Sequence, residues 1–124
     1  MNEPVATVAQ QVAEAAIVFE QQRTGHRPKS MTVVLAKDTV VITLHGALSE
    51  AEKAAGRNAT GAAQVKEFHR QLFATSSGWL RDEIARITGV LVREATAEVE
   101  TATGTMVQVF SLAESVPANS WSSS

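Results

Sequence analysis

The chain has 124 residues, of which 44% are hydrophobic and 19% charged, as expected for one folded domain rather than a disordered chain. It contains no cysteine, which excludes a disulfide framework, a thiolate zinc site and a cysteine nucleophile. Eleven Lys and Arg against thirteen Asp and Glu give a formal charge of -2. Nucleic acid is therefore an unlikely partner, because proteins that bind it generally carry a basic field.

The apolar stretches are too short to cross a membrane. The longest, residues 31–36 and 40–44, are separated by Lys37 and Asp38, whereas a spanning helix needs ~20 apolar residues. Glu3 stands where a secretory signal has basic residues. We therefore expect a cytoplasmic protein with no direct membrane insertion, associated with a membrane only through a partner.

The first third of the chain predicts a helix followed by a β-hairpin. Apolar residues at steps of three and four predict a helix over 5–23, with Gly25 as its left-handed cap. Residues 31–36 and 39–45 are rich in β-branched side chains and are separated by two residues only. That spacing predicts two antiparallel strands joined by a tight turn.

The middle of the chain predicts a short helix and then a longer one. Ser49 and Glu52 form a capping-box pattern that begins a helix ending near Gly56. Residues 61–87 show helical spacing that is interrupted at 76–78. This segment is either one kinked helix or two helices that meet there, and the spacing favours one.

The last third predicts strands over 90–100 and 105–112, followed by a disordered, serine-rich tail at 114–124. Residues 1–113 are thus a single α+β domain with the order α-β-β-α-β-β. We expect a two-layer fold in which an antiparallel four-stranded sheet packs on the long helix. The apolar stripe of the first helix also needs cover, and a second copy in a homodimer is the simplest source.

The sequence contains no recognisable catalytic or metal-binding motif. His26, His45 and His69 do not have the spacing of metal ligands. We interpret them as two surface histidines and one loop histidine. Ser49 is explained as a helix cap. We predict no catalytic residue, no cofactor and no metal, hence a protein that is not an enzyme, unless the fold brings a histidine beside Glu98 in a pocket.

One connection between predicted elements is strongly basic. Arg23, His26, Arg27 and Lys29 fall within seven residues, and Gly25 and Pro28 keep the connection short. Such a loop could bind phosphate, an acidic partner or a nucleic-acid backbone. The alternative, a surface loop that is simply charged, remains open.

Several segments taken together resemble a known family. Residues 46–53, Gly-Ala-Leu-Ser-Glu-Ala-Glu-Lys, are similar to its G-x-L-[TS]-x-x-E-[KR] element. Residues 25–30 precede a hairpin, residues 65–70 lie in a helix, and Glu98-Val99 precede the last hairpin, as in the family. The chain resembles, over about residues 5–113, the MpsC domain family, named for the third component of a sodium-translocating, membrane-potential-generating system. The motif residues are Pro28, Gly46, Leu48, Ser49, Glu52 and Glu98.

The resemblance implies a non-enzymatic accessory, regulatory or interaction domain of an ion or inorganic-carbon transport system. Its partners would be a second copy of itself and a membrane transporter subunit. The chain departs from the family pattern where Arg27 replaces a glycine, His26 an arginine and Glu98 an aspartate. It also has Ser76-Ser77-Gly78 where more charged, helix-favouring residues are typical of the family. The alternative function is an anion- or nucleic-acid-binding module that uses the basic loop at 23–29.

Overall fold

Two β-hairpins form the sheet, and helices precede and separate them. The computed structural model describes residues 7–117. The elements in chain order are α1 (Val8–Thr24), β1 (Ser30–Ala36), β2 (Thr39–His45), α2 (Glu50–Ala55), α3 (Ala59–Ser76), α4 (Gly78–Thr88), β3 (Val92–Glu100) and β4 (Thr105–Leu112). The predicted α+β class and element order are confirmed.

The sheet has four strands in the order β1-β2-β4-β3, and every neighbouring pair is antiparallel. The first hairpin turns through Lys37 and Asp38, and Lys37 adopts a positive φ of 59°. The second strands of the two hairpins pair with each other, with Val41 opposite Val109. β2 and β4 are therefore central, while β1 and β3 form the two edges.

The core lies on one face of this sheet. Alternate residues of the central strands are fully buried there, among them Ile42, Leu44 and Phe110, as the period of two in a strand requires. The helices cover this face, with α1 packed on β1 and α4, and α3 packed on β3. Phe73 of α3 meets both Phe19 and Phe110 edge-to-face, at ring-centroid distances of 6.1 and 6.0 Å.

The long helix is divided at Ser77, so the favoured single helix is wrong and the two-helix alternative is correct. Gly78, which favours helix poorly, follows the break directly. The division lets α3 direct Phe73 over the sheet while α4 directs Ile84 into its own contact with α1. Asn58 caps α3, because its side-chain Oδ1 accepts from the Gly61 backbone N–H at 2.7 Å.

The apolar face of α1 is covered within the chain. Val12 and Ala16 are fully buried and Phe19 nearly so, in contact with α4 and β1. The first helix therefore provides no reason to invoke a second copy. At the other end, Val116 falls within the predicted disordered tail, yet it is 5% exposed and its backbone N–H donates to the Lys37 carbonyl. The rest of that tail, 118–124, lies outside the described residues.

Within residues 7–117, no helix combines the length and the apolar character that crossing a membrane requires.

Candidate functional site

The predicted capping box at the start of α2 is present. Ser49 Oγ accepts from the backbone N–H of Glu52 at 3.2 Å, and Glu52 Oε1 accepts from the Ser49 backbone N–H at 3.0 Å. The Ser49 hydroxyl also donates to Oε1 at 3.1 Å. One carboxylate oxygen is thus fully engaged at the helix start, as the S-x-x-E pattern dictates.

The second oxygen of Glu52 contacts a histidine on the next helix. Oε2 lies 2.5 Å from Nε2 of His69, which is only 1% exposed. Burial opposes the ionisation of Glu52, but the Ser49 backbone N–H and His69 outweigh it and lower the pKa of this carboxyl. We call Ser49, Glu52 and His69 the motif cluster.

The prediction that His69 lies on the surface is wrong. The buried residues of α3 are Val65, His69 and Phe73, spaced four apart, whereas Phe68 is 57% exposed. The i, i+4 spacing was visible in the sequence, but a histidine on a buried stripe needs a polar partner. Glu52, from a separate helix, provides that partner.

The order of groups in the motif cluster bears on its chemistry. The carboxylate lies between the hydroxyl and the imidazole, since Ser49 donates to Glu52 and Glu52 contacts His69. An activated serine instead needs the imidazole directly against the hydroxyl. The cluster therefore joins α2 to α3 and does not form a nucleophile–base pair.

The other motif residues hold two loops together beside α2. Gly46 has a φ of +64°, and a Cβ there would lie 2.6 Å from Cγ of Lys29. His26 Nε2 is 2.9 Å from the Gly46 carbonyl oxygen, and Leu48 is 3% exposed. Pro28 is buried as well. The segments 25–30 and 46–49 are thus in direct contact, which accounts for a glycine at position 46.

Arg23 points into the protein rather than into the basic loop. Its side chain is 4% exposed and forms an ion pair with the buried Glu20. The guanidinium carbon lies 4.8 Å from the centroid of the Phe19 ring, and Gln108 Nε2 donates to Glu20 Oε1 at 3.1 Å. We call Glu20, Arg23 and Gln108 the Arg23 cluster. The sequence does not indicate this role for Arg23, because neither Glu20 nor Gln108 belongs to a recognisable motif.

The structure does not bring the four predicted anion-binding side chains together. Arg23 is turned inward, and His26 is engaged with the Gly46 carbonyl. Arg27 and Lys29 remain on exposed positions. Two of the four residues are therefore left to face an anion at the surface.

Glu98 is at the edge of the sheet and pairs with a cation. Its Oε2 accepts from Arg70 Nη2 at 3.2 Å, and Arg70 also contacts Glu67 at 2.6 Å. These carboxylates, Glu98 foremost, raise the pKa of Arg70. The Glu98 partner is therefore an arginine rather than a histidine. In the part of the chain from 7 to 117, no three His, Asp or Glu side chains are grouped to hold a metal ion.

Comparison with known protein families finds a match over most of the chain. A family model described as the Na+-translocating membrane potential-generating system (MpsC) matches residues 5–114. The chain belongs to the MpsC family. The MpsC match includes both loops that meet at Gly46 and the whole motif cluster.

The chain is also similar to a curated protein. The chain is 23% identical over 119 residues to the uncharacterized protein YbcI of Bacillus subtilis strain 168, and the alignment covers 96% of each chain. No solved structure matches the chain.

Proposed function

We propose that this protein is a non-enzymatic accessory component of a membrane-potential-generating, sodium-translocating system, acting from the cytoplasm on a membrane-embedded partner subunit. Membership of the MpsC family supports the link to such a system. The observation that carries the proposal is a sheet face that the described helices leave open. We call this the outer face; it is the side of the sheet opposite the core.

The outer face has almost no charge over most of its width. β1, β2 and β4 contain no Asp, Glu, Lys or Arg. Val34, Val41 and Val109 stand side by side across these three strands, and Val34 is 49% exposed. Threonines continue the surface at positions 32, 43 and 96.

Such a surface is suited to contact with another protein. An antiparallel sheet that faces water usually alternates apolar residues inside with polar residues outside. Here most outward positions of β1, β2 and β4 carry valine or threonine. Covering these residues removes apolar area from water without desolvating a charge. Glutamates appear only at the far margin, on β3.

The non-enzymatic part of the proposal is supported by the motif cluster. Its imidazole is buried, and its hydroxyl is held by the carboxylate rather than by the imidazole. The cluster is occupied in joining two helices. Its residues are therefore accounted for by a structural role.

Site-specific photocrosslinking in the native host tests the proposal. A photoreactive residue at Val107, on the outer face, is compared with one at Gln64, an exposed position of α3. We expect Val107 to crosslink to a membrane-embedded subunit of an ion-translocating complex, and Gln64 not to do so. Absence of such a product at Val107, or equal yields at both positions, would overturn the proposal.

A further inference from the structure

The two edges of the sheet differ in how they are protected. β3 carries Arg93, Glu94, Glu98 and Glu100 and has an irregularity between Val92 and Glu94. Charges and bulges of this kind prevent a sheet edge from pairing with another strand. β1, with the sequence Ser-Met-Thr-Val-Val-Leu-Ala, has no charge, no proline and a regular register with β2. Of the two edge strands, only β3 therefore has features that prevent pairing with another strand.

Burial on the core side of β1 is also incomplete. Each core-facing residue of β1 pairs with a residue of β2 that is fully buried: Met31 with Leu44, Val33 with Ile42 and Leu35 with Val40. The β1 members of these pairs are only partly buried. They lie on the same face, so the difference arises because no described strand follows β1.

We propose that β1 pairs with β1 of a second copy of this chain, antiparallel and about a two-fold axis, to form one continuous sheet of eight strands. An unpaired edge strand presents a row of backbone donors and acceptors. A two-fold axis lets an identical strand match that row, with the same patch used on both copies. The partner strand must be uncharged to lie against Val33 and Val34, and β1 itself meets that requirement.

This pairing completes the environment of β1. A neighbouring strand would cover Met31, Val33 and Leu35 from the open side and give the edge backbone its hydrogen bonds. It would also make the outer faces of the two copies continuous. The pairing does not depend on the proposed function, because it involves the edge of the sheet and not its outer face.

The test compares two lysine substitutions in the full-length protein. Val34 and Thr96 lie on the same cross-strand row, at opposite edges of the sheet. The native mass is measured by sedimentation, with circular dichroism as the folding control. We expect the unsubstituted chain to have about twice its 13.2 kDa mass, Val34→Lys to have the monomer mass, and Thr96→Lys to remain dimeric, since a charge blocks edge pairing.

Disulfide trapping provides a second measurement that does not require a charge. The chain has no cysteine, so single substitutions report one position each. A two-fold axis at Val34 links Val34→Cys to itself, and an axis at Val33 links it to Thr32→Cys in a mixture of the two variants. One of these should form a covalent dimer on oxidation, and Thr96→Cys should not.

Three results would overturn the pairing. The first is a monomeric unsubstituted protein at micromolar concentration. The second is a dimer that survives Val34→Lys. The third is a dimer lost equally in Val34→Lys and Thr96→Lys, which would place the contact on the outer face. Crosslinking from Val107 to a membrane subunit is a separate measurement, so failure of the β1 pairing is distinguishable from failure of the proposed function.

Discussion

Glu52 of α2 and His69 of α3 are joined through Oε2 and Nε2, which lie 2.5 Å apart. The other oxygen of the same carboxylate closes the capping box with Ser49. α2 has only six residues and buries none of them, and isolated helices this short are unstable in water. Its position therefore depends strongly on this one carboxylate.

Glu52→Gln should lower the free energy of unfolding by about 1.5–3 kcal/mol, the usual range for a hydrogen bond to a charged group. Glutamine can keep the capping box, as Gln10 does with Thr7 at the start of α1, so the loss reports the His69 contact. Glu50→Gln is the control, because the Glu50 side chain is 90% exposed. Urea unfolding at neutral pH should show a smaller loss for the control, and equal losses would contradict the assignment.

Acid should remove the contribution of Glu52. Its pKa is lower in the folded protein than the ordinary value of 4.5, so the unfolded chain binds the proton more readily. The stabilisation is present above that ordinary value and is lost as the pH falls through the lowered folded value. The stability difference between the native protein and Glu52→Gln should shrink from neutral pH to about pH 3. Urea unfolding across this range measures it, and a difference that grows on acidification would refute the prediction.

The Arg23 cluster should respond very differently to single and double substitution. Glu20→Ala leaves the Arg23 guanidinium buried without its carboxylate, which typically costs about 3–5 kcal/mol. Replacing both partners, with Glu20→Leu and Arg23→Met, removes the buried charges together and should cost less by about 2 kcal/mol or more. Denaturant unfolding of both variants tests this. If the double variant is as unstable as Glu20→Ala, the destabilisation does not arise from leaving Arg23 buried without its carboxylate.

Alanine substitutions at two glycines distinguish the energetic cost of backbone strain from that of a packing clash. Gly25 and Gly46 both have positive φ, at 74° and 64°, but a Cβ on Gly25 meets nothing within 4 Å. Gly25→Ala should therefore cost about 1 kcal/mol, from the left-handed conformation alone. A Cβ on Gly46 would lie 2.6 Å from Lys29 Cγ, so Gly46→Ala should cost about 1 kcal/mol more. Thermal unfolding of both variants compares them, and equal losses would mean that Lys29 yields freely.

Features governed by neighbouring residues were predictable from the sequence. The hairpin at Lys37 and Asp38, the Ser49–Glu52 capping box and the left-handed Gly25 all follow from local rules, and the structure contains each of them. Local geometry requires no knowledge of the rest of the fold.

Features that depend on a distant partner were not predictable in the same way. His69 is buried because Glu52 meets it, and Arg23 turns inward because Glu20 and Gln108 receive it. The break at Ser77 depends on where α1 lies relative to α4. A helical period or a cluster of positive charges cannot specify such contacts.

The pairing of β2 with β4 has a kinetic consequence. Thr39 lies opposite Ser111 and Leu44 opposite Met106, so the central ladder joins two strands that α2, α3, α4 and β3 separate in the chain. Contacts of such long sequence separation slow folding, because the intervening chain must be ordered first. On the ribosome, the first hairpin, whose strands carry no Asp, Glu, Lys or Arg, therefore emerges long before its partner strand. In that interval its exposed edges are open to aggregation, and the burden on chaperones should fall on residues 30–45.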